Sequence, residues 1–153
     1  MERKAKAAKD YKTSVKNKII AEEQRIEAEK KAKRIEKFWK ANQKLKQELE
    51  EEKKQCQDKI AELTKEKNAI NATKEIHEIQ EEIKLVNATL ATLGFFAFKE
   101  KKAKRETIAN LEKEVQAHKD RVESEKAILQ RKIDAQTRRI NEINNEFTKD
   151  RPE

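Results

Sequence analysis

Apolar residues recur at alternating intervals of three and four positions through most of this chain. Such spacing places them along one face of an α-helix, as in the seam of core-facing positions of a coiled-coil strand. One seam occupies residues 45–93 and a second occupies residues 108–147. The pattern predicts an all-α fold built from two long coiled-coil helices.

The first seam takes three-residue steps around Thr73, and the second contains one stutter between Leu129 and Ile133. The members of the first seam are Leu45, Leu49, Cys56, Ile60, Leu63, Lys67, Ile70, Thr73, Ile76, Ile79, Ile83, Val86, Leu90 and Leu93. The members of the second seam are Ile108, Leu111, Val115, His118, Val122, Glu125, Leu129, Ile133, Gln136, Ile140, Ile143 and Phe147.

A chain reversal is predicted near Gly94–Phe98. Continuing the first seam beyond Leu93 would place Glu100 and Lys104 at core positions, which disfavours one continuous helix. Gly94 is the single glycine, and we expect it at a left-handed helix C-terminus in a Schellman motif. The sequence thus predicts a helix over 45–93, a turn over 94–98 and a helix over 99–150.

The two helices can be aligned as an antiparallel hairpin, in which opposed residues have a nearly constant sum of residue numbers. Leu63 with Leu129 and Ile70 with Val122 each give a sum of 192. Polar seam positions also meet in this register, which avoids orphaned polar groups. The expected register-setting core consists of Lys67 with Glu125 and Thr73 with His118. We therefore predict a long antiparallel two-helix coiled-coil hairpin over residues 45–153.

The formal net charge of +8 lies in residues 1–44, which hold 15 Lys or Arg and 7 Asp or Glu. The other 109 residues hold 23 of each and are neutral. Residues 1–44 are predicted to form a basic helical arm that overhangs the hairpin. Its candidate contacts are Lys12, Lys16, Lys18, Lys30, Lys31, Lys33, Arg34 and Trp39.

The arm also has a thin apolar seam that includes Tyr11, Val15, Ile19 and Ile26. One interpretation is a coiled-coil segment that pairs with a partner helix or a second copy. The other is a basic helix for nucleic acid or an anionic membrane surface, where Lys and Arg bind phosphate.

Three of the five phenylalanines, Phe95, Phe96 and Phe98, cluster at the turn and precede Lys99, Lys101 and Lys102. This phenylalanine tip can be interpreted in two ways. The rings can close the end of the hairpin core, or they can form an exposed surface that docks a partner or a lipid surface.

The composition argues against catalysis and cofactor binding. The chain is 44% charged and has one Cys and two His, which cannot assemble a disulfide or a tetrahedral zinc site unaided. A two-helix rod also offers no concave pocket for a nucleophile and base. We expect no enzyme activity, no cofactor, no metal and no small-molecule substrate. With no visible signal peptide or membrane span, we expect a cytoplasmic location.

The segment Leu90–Lys102, LATLGFFAFKEKK, resembles a turn found in uncharacterised coiled-coil proteins of mainly Gram-positive bacteria. In that family a helix ends in Leu-Gly, an aromatic turn follows, and a Lys-rich stretch opens the returning helix. The resemblance covers about a third of the chain. It implies a helical hairpin and assigns no chemistry to any residue.

Together these features predict a non-enzymatic structural protein, a coiled-coil spacer or scaffold. It would bind a partner protein, or associate with itself, through the arm, the tip or both. The alternative is a polyanion-binding module that uses the basic arm to bind nucleic acid or an anionic membrane surface.

Overall fold

The computed structural model describes residues 2–152, and the fold of these residues is all-helical. Four helices follow one another along the chain: α1 (Glu2–Ala41), α2 (Gln43–Ala69), α3 (Thr73–Thr92) and α4 (Phe98–Thr148). The described residues contain no strand. The all-α prediction is confirmed.

A one-residue break at Asn42 separates α1 from α2. The Asn42 amide N–H donates to the Trp39 carbonyl at 3.2 Å, and its side-chain amide donates to the Phe38 carbonyl at 2.8 Å. The Asn42 carbonyl accepts from the Lys46 N–H at 3.0 Å. Asn42 therefore pairs with backbone carbonyls at the end of α1 and with a backbone N–H at the start of α2, so the break leaves few backbone groups unpaired.

A second break, at residues 70–72, corrects the prediction of one continuous helix over 45–93. The Asn71 side chain stabilises the break, because its Oδ1 accepts from the Thr73 N–H at 3.3 Å and its Nδ2 donates to the Ala69 carbonyl at 3.2 Å. The seam gives the reason. From Lys67 to Ile79 it advances in steps of three only, which an α-helix of 3.6 residues per turn cannot keep on one face.

A break between helices occurs where the sequence predicts the reversal, since α3 ends at Thr92 and α4 begins at Phe98, although its geometry differs. Leu93 leaves α3 in an extended conformation (φ −73°, ψ 139°), and its N–H donates to the Leu90 carbonyl at 3.3 Å. No residue of the described chain, Gly94 included, has a positive φ. The prediction of a left-handed Gly94 in a Schellman motif is therefore wrong. A Cβ on Gly94 would meet nothing within 4 Å. The extended backbone of Leu93 ends α3, and this end does not require a glycine with positive φ.

The chain divides into two compact units. Unit 1 comprises Met1–Gln55 with Arg139–Glu153, and unit 2 comprises Cys56–Arg138. Trp39 and Ile143 are buried in unit 1, and the buried residues of unit 2 are Cys56, Leu63, Ala72, Leu111 and Val115.

Burial follows the predicted seams closely. Every seam position of α4 is buried or half-buried, and in the first seam only Leu45 and Thr73 are exposed. Cys56 is a buried free thiol, as its seam position predicts. The three-and-four spacing therefore identifies the core face of α2, α3 and α4.

Candidate functional site

The phenylalanine tip is the most exposed aromatic group of the described chain. The exposed fractions are 76% for Phe95, 86% for Phe96 and 64% for Phe98. Their rings contact one another edge-on, with centroid distances of 5.2 Å from Phe95 to Phe96 and 6.2 Å from Phe95 to Phe98. The rings therefore present an apolar surface to solvent and are not buried as a cap on the core.

Basic residues follow the tip on the first turns of α4. Lys99 and Lys102 are exposed, and Lys101 is half-buried. Within residues 2–152 none of these three lysines forms an ion pair. Cations at a helix N-terminus also oppose the macrodipole, so their positions there do not favour folding. Their charge is available to an external anion.

The tip lies within a longer charge-free segment that the sequence interpretation did not include. Residues 85–98 contain no charged residue, although 44% of the chain is charged. Leu85 opens this stretch and is 71% exposed. The lack of charge over 14 consecutive residues is the sequence signal that distinguishes the segment around the tip from the rest of the chain.

Helix α1 carries the predicted arm surface. Its six candidate lysines are exposed: Lys12, Lys16, Lys18, Lys30, Lys31 and Lys33. The apolar seam of the arm is exposed too, by 72% at Tyr11, 38% at Val15, 54% at Ile19 and 39% at Ile26. The arm therefore offers both charge and apolar side chains along one helix.

Arg34 and Trp39 do not belong to this exposed arm surface, which corrects their prediction as arm contacts. Arg34 donates through Nε and Nη2 to the two Asp150 carboxylate oxygens, at 2.9 and 3.0 Å. This two-point hydrogen bond holds the pKa of Asp150 below its usual value. Trp39 is only 6% exposed. Both side chains stabilise unit 1 internally.

Trp39 belongs to an aromatic cluster within unit 1, here called the Trp39 cluster. The Trp39 ring packs edge-on against Phe38 at 4.9 Å and Phe147 at 5.1 Å. The Arg151 guanidinium lies 4.1 Å from the Phe38 ring centroid and 5.5 Å from that of Trp39. It also donates to the Glu146 carbonyl at 3.0 Å and carboxylate at 2.9 Å. The predicted register, which pairs Trp39 with Glu153, misses this cluster.

The predicted register-setting pairs do not form among residues 2–152. Lys67 donates to Gln130 Oε1 at 2.6 Å, and Glu125 pairs with Arg121 of its own helix at 3.5 Å. The Thr73 N–H donates to Asn71, and His118 is half-buried without a bond to Thr73. The residue numbers of Lys67 and Gln130 sum to 197, so this bond departs from the predicted register by five positions.

A different polar pair lies in the predicted register of unit 1. Arg139 donates to the two Glu52 carboxylate oxygens at 2.6 and 2.9 Å, and the residue numbers sum to 191. The guanidinium lowers the pKa of Glu52. Extending the register rule from the seam to the flanking positions would have found this pair.

The break at residues 70–72 opens a shallow groove of about 620 Å³ in unit 2. Its lining combines apolar with polar and charged side chains, and it includes Ile70, Ala72, Ile76, His77, Val122 and Lys126. In the described part of the chain no group of three His, Cys, Asp or Glu side chains could hold a metal ion. Nor does any helix between residues 2 and 152 have the length and apolarity to cross a bilayer.

Comparison of the chain with family models, curated proteins and solved structures finds no match. The family resemblance of the turn at residues 90–102 stays a prediction.

Proposed function

We propose that the protein is a non-enzymatic scaffold, an antiparallel coiled-coil hairpin that serves as a spacer and binds a partner protein through its basic arm. The antiparallel arrangement is supported inside unit 1 by three contacts, in which one residue number rises as the other falls. These contacts are Arg34 with Asp150, Trp39 with Phe147, and Glu52 with Arg139. Within unit 2, the bond from Lys67 to Gln130 joins α2 to α4.

The exposed apolar seam of α1 is the observation that carries the partner proposal. Tyr11, Val15 and Ile19 succeed one another at four-residue intervals, and Ile26 follows after seven. Such spacing keeps them on one side of the helix. A helix needs an apolar face only where it packs against another surface. Here more than half of the Tyr11 and Ile19 side chains is exposed. A partner helix would cover this face.

Charge identifies the chemistry of that partner. The arm carries +8, so the arm of a second copy laid against it would be repelled. An acidic amphipathic helix would instead place its apolar residues on the arm seam and its carboxylates beside the exposed lysines. The proposed partner is therefore a protein that presents an acidic amphipathic helix.

Titration with a synthetic acidic helical peptide tests this proposal. The peptide would carry a Leu and Ile seam flanked by Glu, and binding to the full chain would be measured by calorimetry. We expect Ile19→Ser with Ile26→Ser to weaken binding by about tenfold, because two apolar contacts are lost. The matched control, Leu85→Ser with Ile128→Ser, changes two exposed apolar residues elsewhere and should leave the affinity unchanged. Equal affinities for both double variants would overturn the proposal.

The alternative, polyanion binding by the arm, is favoured by the exposure of the six arm lysines. It is distinguished by titration with duplex DNA, and with anionic vesicles, over a range of salt concentrations. Neutralising Lys12, Lys16 and Lys18 with Gln should then lower the slope of log affinity against log salt for duplex DNA by about 2 to 3. The Ile19→Ser, Ile26→Ser variant should bind duplex DNA normally. This pattern would support the alternative and contradict binding of a partner helix.

A further inference from the structure

We propose that the phenylalanine tip binds the surface of an anionic lipid bilayer. Phe95, Phe96 and Phe98 enter the boundary between headgroups and acyl chains, and Lys99, Lys101 and Lys102 bind lipid phosphates. This inference concerns the tip alone and does not depend on what the arm binds.

The apolar half of the surface extends beyond the three rings. The charge-free stretch of residues 85–98 supplies a turn that can enter a lipid headgroup layer without desolvating an ionised side chain. The exposure of Leu85 and of all three rings shows that these groups are presented outward. Side chains of this size are unfavourable in water and favourable at a lipid boundary.

The basic half lies on the side of α4 that carries Phe98. Lys101 and Lys102 follow Phe98 at three and four residues, so the three side chains share one helix face. Residues 99–105 carry five basic residues and one acidic residue. Lysine side chains have long apolar stems, which let the ammonium group reach phosphates while the neighbouring ring lies deeper.

The residue types favour a lipid surface over a protein partner. Protein interfaces are enriched in aromatic residues, Phe included, and in Arg, and they are depleted in Lys. The rings therefore suit either occupant, and the lysines beside them, Lys99, Lys101 and Lys102, are the residues that favour lipid. Clustered lysines are the groups that bind anionic leaflets, where each added charge strengthens binding by about fivefold at low salt. Residues 2–152 include no helix able to cross a bilayer, so the expected mode is shallow interfacial binding.

Vesicle flotation with the full chain tests this proposal. The vesicles would contain phosphatidylglycerol and phosphatidylcholine in equal parts, with pure phosphatidylcholine for comparison. We expect binding to the mixed vesicles at low salt and weak or no binding to the neutral ones. Changing Phe95, Phe96 and Phe98 to Ser, or Lys99, Lys101 and Lys102 to Gln, should each lower the partition coefficient by about tenfold or more.

Matched variants of the arm show which surface binds. Tyr11, Ile19 and Ile26 changed to Ser match the phenylalanine variant, and Lys12, Lys16 and Lys18 changed to Gln match the lysine variant. These arm variants should bind the mixed vesicles like the unchanged chain. Circular dichroism checks that each variant is helical, and Phe96→Ser alone, at the most exposed ring, replaces the triple variant if that one unfolds. The proposal is overturned if the unchanged chain does not float, or if the arm variants lose binding while the tip variants keep it.

Discussion

The Trp39 cluster and the phenylalanine tip have similar ingredients and opposite exposure. Each groups three aromatic rings with basic side chains. Trp39 is 6% exposed, whereas Phe96 is 86% exposed. In the Trp39 cluster the Arg151 guanidinium lies over the Phe38 and Trp39 rings at 4.1 and 5.5 Å, whereas the tip lysines contact no acidic partner among the described residues.

The difference lies in how many chain segments meet at each group. The Trp39 cluster combines the end of α1, the end of α4 and the residue Arg151 beyond it, so each ring has neighbours from another segment. The tip lies in the single connection between two helices, and its rings pack edge-on against one another and are mostly exposed. Aromatic residues thus contribute to the core where a second segment covers them, and the exposed rings of the tip can contact a ligand.

The largest expected contrast is in stability. Trp39→Ala should lower the free energy of unfolding by about 3–5 kcal/mol, because it removes a large buried ring. Phe96→Ala should change this free energy by less than about 0.5 kcal/mol, since the ring is almost fully exposed. Urea unfolding followed by circular dichroism measures both values.

Trp39→Phe refines this comparison. The indole N–H is buried and has no hydrogen-bond partner among residues 2–152, so its removal loses no bond. We expect Trp39→Phe to lose much less stability than Trp39→Ala. Similar losses at Trp39 and Phe96 in the Ala variants would show that the two aromatic groups do not differ as described.

The basic side chains should show a smaller contrast. Arg151→Gln should lower the free energy of unfolding by about 1–2 kcal/mol, because the guanidinium stacks on two rings and bonds Glu146. Lys102→Gln at the tip should change it by less than about 0.5 kcal/mol. Arg151→Lys keeps the charge and loses the planar stacking, so an intermediate value is expected. A full rescue by Lys would indicate that charge alone matters at Arg151.

Much of this architecture follows from the spacing of residues along the chain. The helical seams, the buried Cys56 and the break between helices near Gly94 all follow from local periodicity, which depends on one helix at a time. The exposure of the tip rings was one of two open interpretations. Whether neighbouring segments cover a ring depends on tertiary packing, which periodicity does not report.

The partners across the helices were harder to predict. A constant residue sum assumes equal rise per residue in both strands. Glu52 with Arg139 keeps a sum of 191, whereas Lys67 with Gln130 gives 197 and Trp39 with Phe147 gives 186. The departures have opposite signs, so one shift of register does not account for both, and the individual partners depend on local packing. The steps of three around Thr73 were the sequence signal of the break at residues 70–72.

The smallest expected effect is the response of unit 1 to acid. Arg139 and Arg34 lower the pKa values of Glu52 and Asp150 in the folded chain. The stabilisation from each pair is therefore present above the unfolded carboxyl pKa, about 4, and is lost as the pH falls through the lower folded value. Thermal melting followed by Trp39 fluorescence should show this loss between neutral and strongly acidic pH.

Removing the ion pairs of Glu52 with Arg139 and of Asp150 with Arg34 should flatten the dependence of the melting temperature on pH. At neutral pH, Glu52→Gln with Asp150→Asn should lower the melting temperature by about 2 °C or less per pair, since half-exposed ion pairs are screened by solvent. At strongly acidic pH, where both carboxylates of the unchanged chain are protonated, the difference between the two proteins should disappear. Glu81→Gln is the matched control, because the Lys84 ammonium lowers the pKa of Glu81 in unit 2. An unchanged Trp39 profile in this control, beside a flattened one in the double variant, would place the acid response at the two unit 1 pairs.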